Sequence, residues 1–178
     1  MARGFTLIEM LISLVVLAVL LAAAVPSFGG MSERSKMQRL AEELQGFFVQ
    51  TKSEAVLRNQ PVYLNFVKIG SEYSGEWGLA TRASATPATS LSSAQSDALV
   101  YLDGHPFKNI TVNFPMANGS TLLSVLEFEP VNGKPIQPSS LSFFVDANKP
   151  LKLVFSNVTG RIRICGDGGA FYGYPSCE

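Results

Sequence analysis

The feature that most limits this chain is an almost purely apolar run from Phe5 to Val25, broken only by Thr6, Glu9 and Ser13. About 20 such residues are enough for a helix to span a bilayer. Three readings compete: a secretory signal cut near Ala22–Ala24, an ordinary single-pass anchor, and a segment cut before the apolar run instead of after it. Glu9 decides among them. An acid in an apolar span costs about 2.5–3.5 kcal/mol at the helix centre, less near its end, and usually marks function. A signal peptide or a plain anchor has no use for it. Cleavage between Gly4 and Phe5 would leave a new α-amine four residues from Glu9, on the same helical face.

The run Gly4-Phe5-Thr6-Leu7-Ile8-Glu9, behind a short leader containing Arg3, resembles the type III signal of type IV pilins and type II secretion pseudopilins. The resemblance implies that a prepilin peptidase cuts after Gly4 and methylates the amine of Phe5. It implies a single pass of the bacterial inner membrane with the rest of the chain in the periplasm, until assembly carries the subunit into a filament or to the cell surface. It also gives Glu9 a role in assembly, paired with the N-terminal amine of a neighbouring pilin or pseudopilin, and it puts a common bend site at Pro26.

Beyond Pro26 the pattern turns amphipathic. Met37, Leu40, Leu44, Phe47, Phe48, Thr51 and Ala55 recur at three- and four-residue steps, which is one helical face. Asn59-Gln60-Pro61 ends the run, since the residue before a proline disfavours helix. A helix from Phe5 to about Arg58 would be roughly 80 Å long, with Pro26 and Gly29-Gly30 as soft points. The pair Phe47-Phe48 reads as core contact.

The remainder reads as short strands. Pro61–Lys68 alternates like a half-buried strand, and Trp77–Ala80 follows the turn around Gly70–Gly75. Further candidates are Leu99–Leu102, Ile110–Phe114, Leu122–Phe128, Leu141–Val145, Leu151–Ser156 and Gly160–Cys165. Asn132-Gly133 and Thr159-Gly160 mark turns. Thr81–Asp97, rich in Ser, Thr and Ala with little charge, reads as a mobile surface loop. A helix with one apolar stripe needs a sheet to cover it. The expected class is α+β, a long N-terminal helix packed on an antiparallel sheet, as in pilins. The expected divisions are a leader (1–4), a transmembrane and assembly helix (5–28), its amphipathic half (29–60) and a β-rich head (61–178).

Of 178 residues, 16% are charged, with 14 bases and 14 acids. That balance argues against a generally basic nucleic-acid binder but leaves room for a local patch. Cys165 and Cys177 are too far apart for a CxxC pair, and the single His105 leaves no ligand set for a metal. A disulfide closing the C-terminal loop is the economical reading, against two free thiols, and implies an oxidising compartment. His105 sits in a Gly-His-Pro turn and reads as a polar turn residue. No catalytic motif surrounds any nucleophile, so the chain reads as a non-enzyme without cofactor. The Asn-x-Ser/Thr triplets at Asn109, Asn118 and Asn157 are what chance gives in such a composition.

Two further segments resemble the FimT/FimU/GspH group of minor pilins and pseudopilins: Ser53 through Val62, and Gly160-Arg161-Ile162-Arg163-Ile164-Cys165 with the closing Cys177. The group implies a low-copy filament subunit, either of a type IV pilus or of a type II secretion filament. In a strand Arg161 and Arg163 share a face and offer two guanidinium forks suited to phosphate. Group members with this Gly-Arg-x-Arg pattern are linked to capture of double-stranded DNA in natural transformation. Lys149 and Lys152 would widen such a patch. The competing reading is a solvated strand face or subunit contact, with Asp146 and Asp167 as counter-charges.

Overall fold

The computed structural model describes residues 6–70, 75–117 and 121–177, the side chains of 23–30, 116–117 and 121–122 excepted. One helix, α1, runs from Leu7 to Arg58 without a break in its helical assignment at Pro26 or Gly29-Gly30. Thr6 starts it: the Glu9 N–H donates to Thr6 Oγ1 at 3.3 Å, and the Met10 N–H reaches the Thr6 carbonyl at 3.2 Å. This caps amides that a helix start leaves unpaired. Asn59 ends it in a left-handed conformation (φ 50°), two residues before Pro61.

The chain divides into two compact units, residues 1–36 and 37–178. In the first, apolar side chains all around α1 are exposed, from Leu7 (84%) to Leu21 (56%). Among the described residues no helix is long and apolar enough to cross a membrane. The expected span Phe5–Val25 begins and ends outside the described side chains.

In the second unit every residue of the expected stripe, Met37, Leu40, Leu44, Phe47, Phe48, Thr51 and Ala55, is buried. It packs on two antiparallel four-stranded sheets. The first contains β1 (Val62–Lys68), β2 (Trp77–Arg82), β3 (Ala98–Asp103) and β7 (Val125–Phe128), in the order β3-β2-β1-β7. The second contains β4 (Thr111–Asn113), β8 (Ser139–Phe144), β9 (Leu151–Phe155) and β10 (Ile162–Gly166), in the order β10-β9-β8-β4. A small hairpin, β5 (Met116–Ala117) with β6 (Thr121–Leu122), lies between β4 and β7 in sequence. Phe48 joins the sheets: its ring stacks on Phe155 of β9 at 5.2 Å and meets Phe128 of β7 edge-on at 6.4 Å. The α+β class holds, but the strands divide between two sheets where one was expected. The expected strand Leu122–Phe128 also breaks in two, because the Leu123 N–H is drawn to the Pro115 carbonyl.

The expected mobile loop Thr81–Asp97 is a correction. Thr81 and Arg82 complete β2, and Leu91–Ser96 forms a short helix, α2. Ser90 caps α2, its side chain accepting from the Ser93 N–H at 3.1 Å while Ser93 Oγ accepts from the Ser90 N–H at 3.1 Å. The Arg82 guanidinium forks onto Asp97 at 2.6 and 2.7 Å and donates to the Thr86 carbonyl at 2.7 Å. Asn65 Oδ1 accepts the Ala88 N–H at 2.9 Å. The small residues that suggested mobility instead let the segment lie flat: Ala94 is fully buried beside Val67 and Ala80. This also corrects the half-buried reading of β1, since Asn65 and Val67 on its outer face are covered as well.

Candidate functional site

Two candidate sites emerge, one at each end of the chain. At the N-terminal end Gly4 and Phe5 lie outside the described residues. Glu9 sits in the first turn of α1, at the third position after the capping Thr6. A carboxylate there is favoured by the positive end of the helix dipole. The Thr6-x-x-Glu9 spacing is a helix-start signal that the reading for pilus assembly passed over.

At the other end, Cys165 and Cys177 form a disulfide, Cα–Cα 5.0 Å. The tail it holds lies against β10: the Gly166 N–H reaches the Pro175 carbonyl at 2.7 Å and the Cys177 N–H reaches the Gly166 carbonyl at 2.9 Å. Gln38 of α1 donates to the Tyr172 carbonyl at 2.8 Å.

The Gly-Arg-x-Arg segment leaves the turn between β9 and β10 and enters β10 at Ile162. Gly160 takes a left-handed conformation (φ +65°), where a side chain would be strained and would lie 2.9 Å from Lys134 Cγ. Arg161 is exposed just before β10, its N–H held by Thr159 Oγ1 at 3.2 Å. Arg163 lies opposite Val154, half-buried and engaged in a contact of its own. Ile164 is buried and Ile162 packs against the core, so the expected alternation is present.

The lysines expected beside this turn are neutralised locally. Lys152 Nζ lies 2.7 Å from Asp167, and Lys149 Nζ 3.6 Å from Asp146. Backbone and side-chain hydrogen bonds from Asn148, with Lys149 nearby, hold the Asp146 carboxyl below its usual range. The lysines at the turn are Lys52 and Lys134 instead. Lys52 Nζ donates to the Gly160 carbonyl at 2.7 Å, across 108 residues of sequence, and lies 3.6 Å from where a Gly160 Cβ would stand. Sequence reasoning missed both, because neither lies near the motif along the chain. Lys52 had a faint signal: it is a basic residue beside the buried position of Thr51.

Residues 40–171 match the family described as "Type II transport protein GspH". The chain belongs to the GspH family. Residues 1–25 of this GspH-family chain also match the "Prokaryotic N-terminal methylation motif". Its fold is similar to that of the type IV minor pilin FimU of Pseudomonas aeruginosa in two crystal forms. One has a TM-score of 0.57 at 19% identity, covering 78% of this chain and 97% of the crystallised FimU chain. The other has a TM-score of 0.53 at 19% identity, covering 74% and 97%. A search of curated proteins finds no match. The likeness to FimU establishes the fold: a long N-terminal helix packed on antiparallel sheets. The family is one of minor pilins and pseudopilins, whose members are structural subunits.

Proposed function

We propose that this GspH-family chain is a minor pilin, a low-copy subunit of a type IV pilus that works by assembly and display. The observation that carries this is the exposed apolar surface of α1 from Leu7 to Leu21, with Glu9 in its first turn. So much apolar surface needs a non-aqueous neighbour: first the lipid of the inner membrane, then the helices of adjacent subunits. In this reading prepilin peptidase removes residues 1–4 and methylates the Phe5 amine. Glu9 then sets register by pairing with that amine on a neighbour. The match of residues 1–25 to the methylation motif supports it. The test is the intact mass of the mature protein, together with filament incorporation of Glu9→Leu. Loss of residues 1–4 with one added methyl, and failure of the variant to enter filaments, are the expected results. An uncleaved chain, or cleavage after Ala24, would overturn it.

The description of the matched family favours a second reading, a pseudopilin of a type II secretion filament. Deletion separates the two: lost pili mark a pilin, and folded exoproteins retained in the periplasm mark a pseudopilin.

The arginine turn gives the head a candidate ligand, the phosphate backbone of double-stranded DNA. Arg161 and Arg163 are its forks, with Lys52 and Lys134 close to Gly160; Lys149 and Lys152 contribute less because acids offset them. Two engaged phosphates predict a log–log salt slope of about −2. Duplex binding that the Arg161→Gln, Arg163→Gln variant loses is the expected outcome, and binding unchanged by those substitutions would remove DNA from the account.

A further inference from the structure

A sheet edge with unpaired backbone groups invites strand addition, and folded proteins usually block such edges. Among the described residues, three of the four edges of the two four-stranded sheets are covered or kept short. The outer side of β7 is covered by the returning turn, where Glu129 N–H meets the Lys134 carbonyl and Ile136 N–H meets the Glu127 carbonyl. The disulfide-held tail covers β10 through the Gly166–Ser176 bridge. The edge strand β4 is only three residues long. The fourth edge, β3, has six residues, no proline and no lysine, and among the described residues nothing pairs with its outer side.

The register shows which groups face outward. Gly104 N–H donates to the Trp77 carbonyl at 2.9 Å, and Leu102 and Val100 lie opposite Leu79 and Thr81. Antiparallel alternation therefore turns the Leu102 and Val100 amides and carbonyls toward β2. It leaves those of Tyr101 and Asp103 facing out.

Alongside this edge runs a groove of about 450 Å³ between β3 and α1. Its floor contains Gly46 and Phe47. Glycine in a helix interior costs about 1 kcal/mol relative to alanine, yet a Cβ at Gly46 would meet nothing within 4 Å. Among the described residues no contact calls for that glycine, and its bare backbone leaves room for an incoming chain. The lining holds two acids, Glu42 and Glu43, against one base, Arg39. Arg39 stands 4.0 Å from Glu43 and also lies over the Phe107 ring, 5.4 Å from its centroid.

We propose that β3 accepts an extended segment of a second protein as an added strand, with a basic residue of that segment meeting Glu42 and Glu43. The exposed backbone of Tyr101 and Asp103 supplies the ladder, and the bare helix at Gly46 makes room for it. A second copy offering its own β3 is the wrong occupant on charge. Its own β3 carries no base, and it is flanked by Asp97 and ends in Asp103. This surface is separate from the apolar half of α1 and from the arginine turn, so it stands or falls independently of the filament assignment.

The test uses the full chain in detergent and a fluorescent synthetic peptide that alternates Val and Thr and ends in two lysines. Binding should protect the Tyr101 and Asp103 amides from hydrogen exchange. Gly46→Leu, which fills open space and raises helix propensity, should weaken binding roughly tenfold or more while leaving the thermal midpoint unchanged or higher. A peptide with alternate amides methylated should not bind, and one with glutamates for lysines should bind more weakly at low salt. Absent protection at Tyr101 and Asp103, or equal binding by Gly46→Leu, would overturn the proposal. So would self-association of the chain that Gly46→Leu abolishes, which would assign the edge to a second copy.

Discussion

The two halves of α1 are built from similar helix-forming residues and end in opposite circumstances. From Leu7 to Leu21 apolar residues occupy every face and stay exposed. From Met37 to Ala55 they recur at three- and four-residue steps, and the whole stripe is buried. The lesson lies in the period. A stripe is complementary to one surface, which this chain supplies as two sheets meeting at Phe48. An all-round apolar helix is complementary to no single surface of its own chain and fits an apolar surrounding.

The sharpest way to break that comparison is to truncate one large side chain in each half. Phe48→Ala should destabilise the 37–178 unit by about 3–5 kcal/mol, since the cavity would open between both sheets. Leu14→Ala should leave that unit's denaturation midpoint unchanged, measured on the full chain in detergent. A comparable loss from both would mean that the first half contributes to folding of the second unit.

A smaller effect tests the one polar member of the stripe. Thr51 Oγ1 lies 2.6 Å from Thr81 Oγ1 of β2, with both residues fully buried. Thr51→Val strands the Thr81 hydroxyl and should cost about 1–3 kcal/mol. Adding Thr81→Val should recover part of it, because two apolar groups of matching shape leave nothing unpaired. No recovery in denaturant titrations would mean that the cost comes from the lost Thr51 bond to the Phe47 carbonyl and not from the stranded Thr81 hydroxyl.

The smallest effect is local and lies furthest from the helix. The hydrogen-bonded fork of Arg82 holds the Asp97 carboxyl below its ordinary range, and Asp97 in turn raises the Arg82 guanidinium. A depressed folded-state value means this contribution is complete above the unfolded carboxyl pKa of about 3.9. It is lost as pH falls from there through the lower folded value. Amide exchange across residues 83–97 should therefore accelerate in that acid window while β1 stays protected. Asp97→Asn should show the faster exchange at neutral pH and lose the acid dependence.

Helix α1 was legible as a segment because its signals are local: the apolar run from Phe5, the stripe within, Asn59 and Pro61 at the end; only the Thr6-x-x-Glu9 start went unread. The strands were legible as segments but not as partners. Nothing in Leu99–Leu102 or Leu141–Val145 says that they belong to different sheets, since register depends on residues far away in sequence. The segment 81–97 misled because Ser and Ala have no fixed meaning. Ser90 and Ser93 became caps, and Ala94 became core, only once β1 and β2 lay beneath them. Of the arginine pair, Arg163 lies on β10 as expected, while Arg161 falls just before it. Lys149 and Lys152 meet Asp146 and Asp167, the counter-charges that the competing reading named, while Lys52, which neither reading considered, arrives from the helix.

What the sequence determined by itself was therefore everything carried by period and short spacing: the helix, its two contrasting halves, the strand segments and the family they resemble. Tertiary structure alone decided which cations share a turn, which edges are closed and which edge is left open. The physical reason is that charge and backbone pairing act through space, and folding brings Lys52 to Gly160 and the tail to β10 across distances along the chain that no local pattern spans.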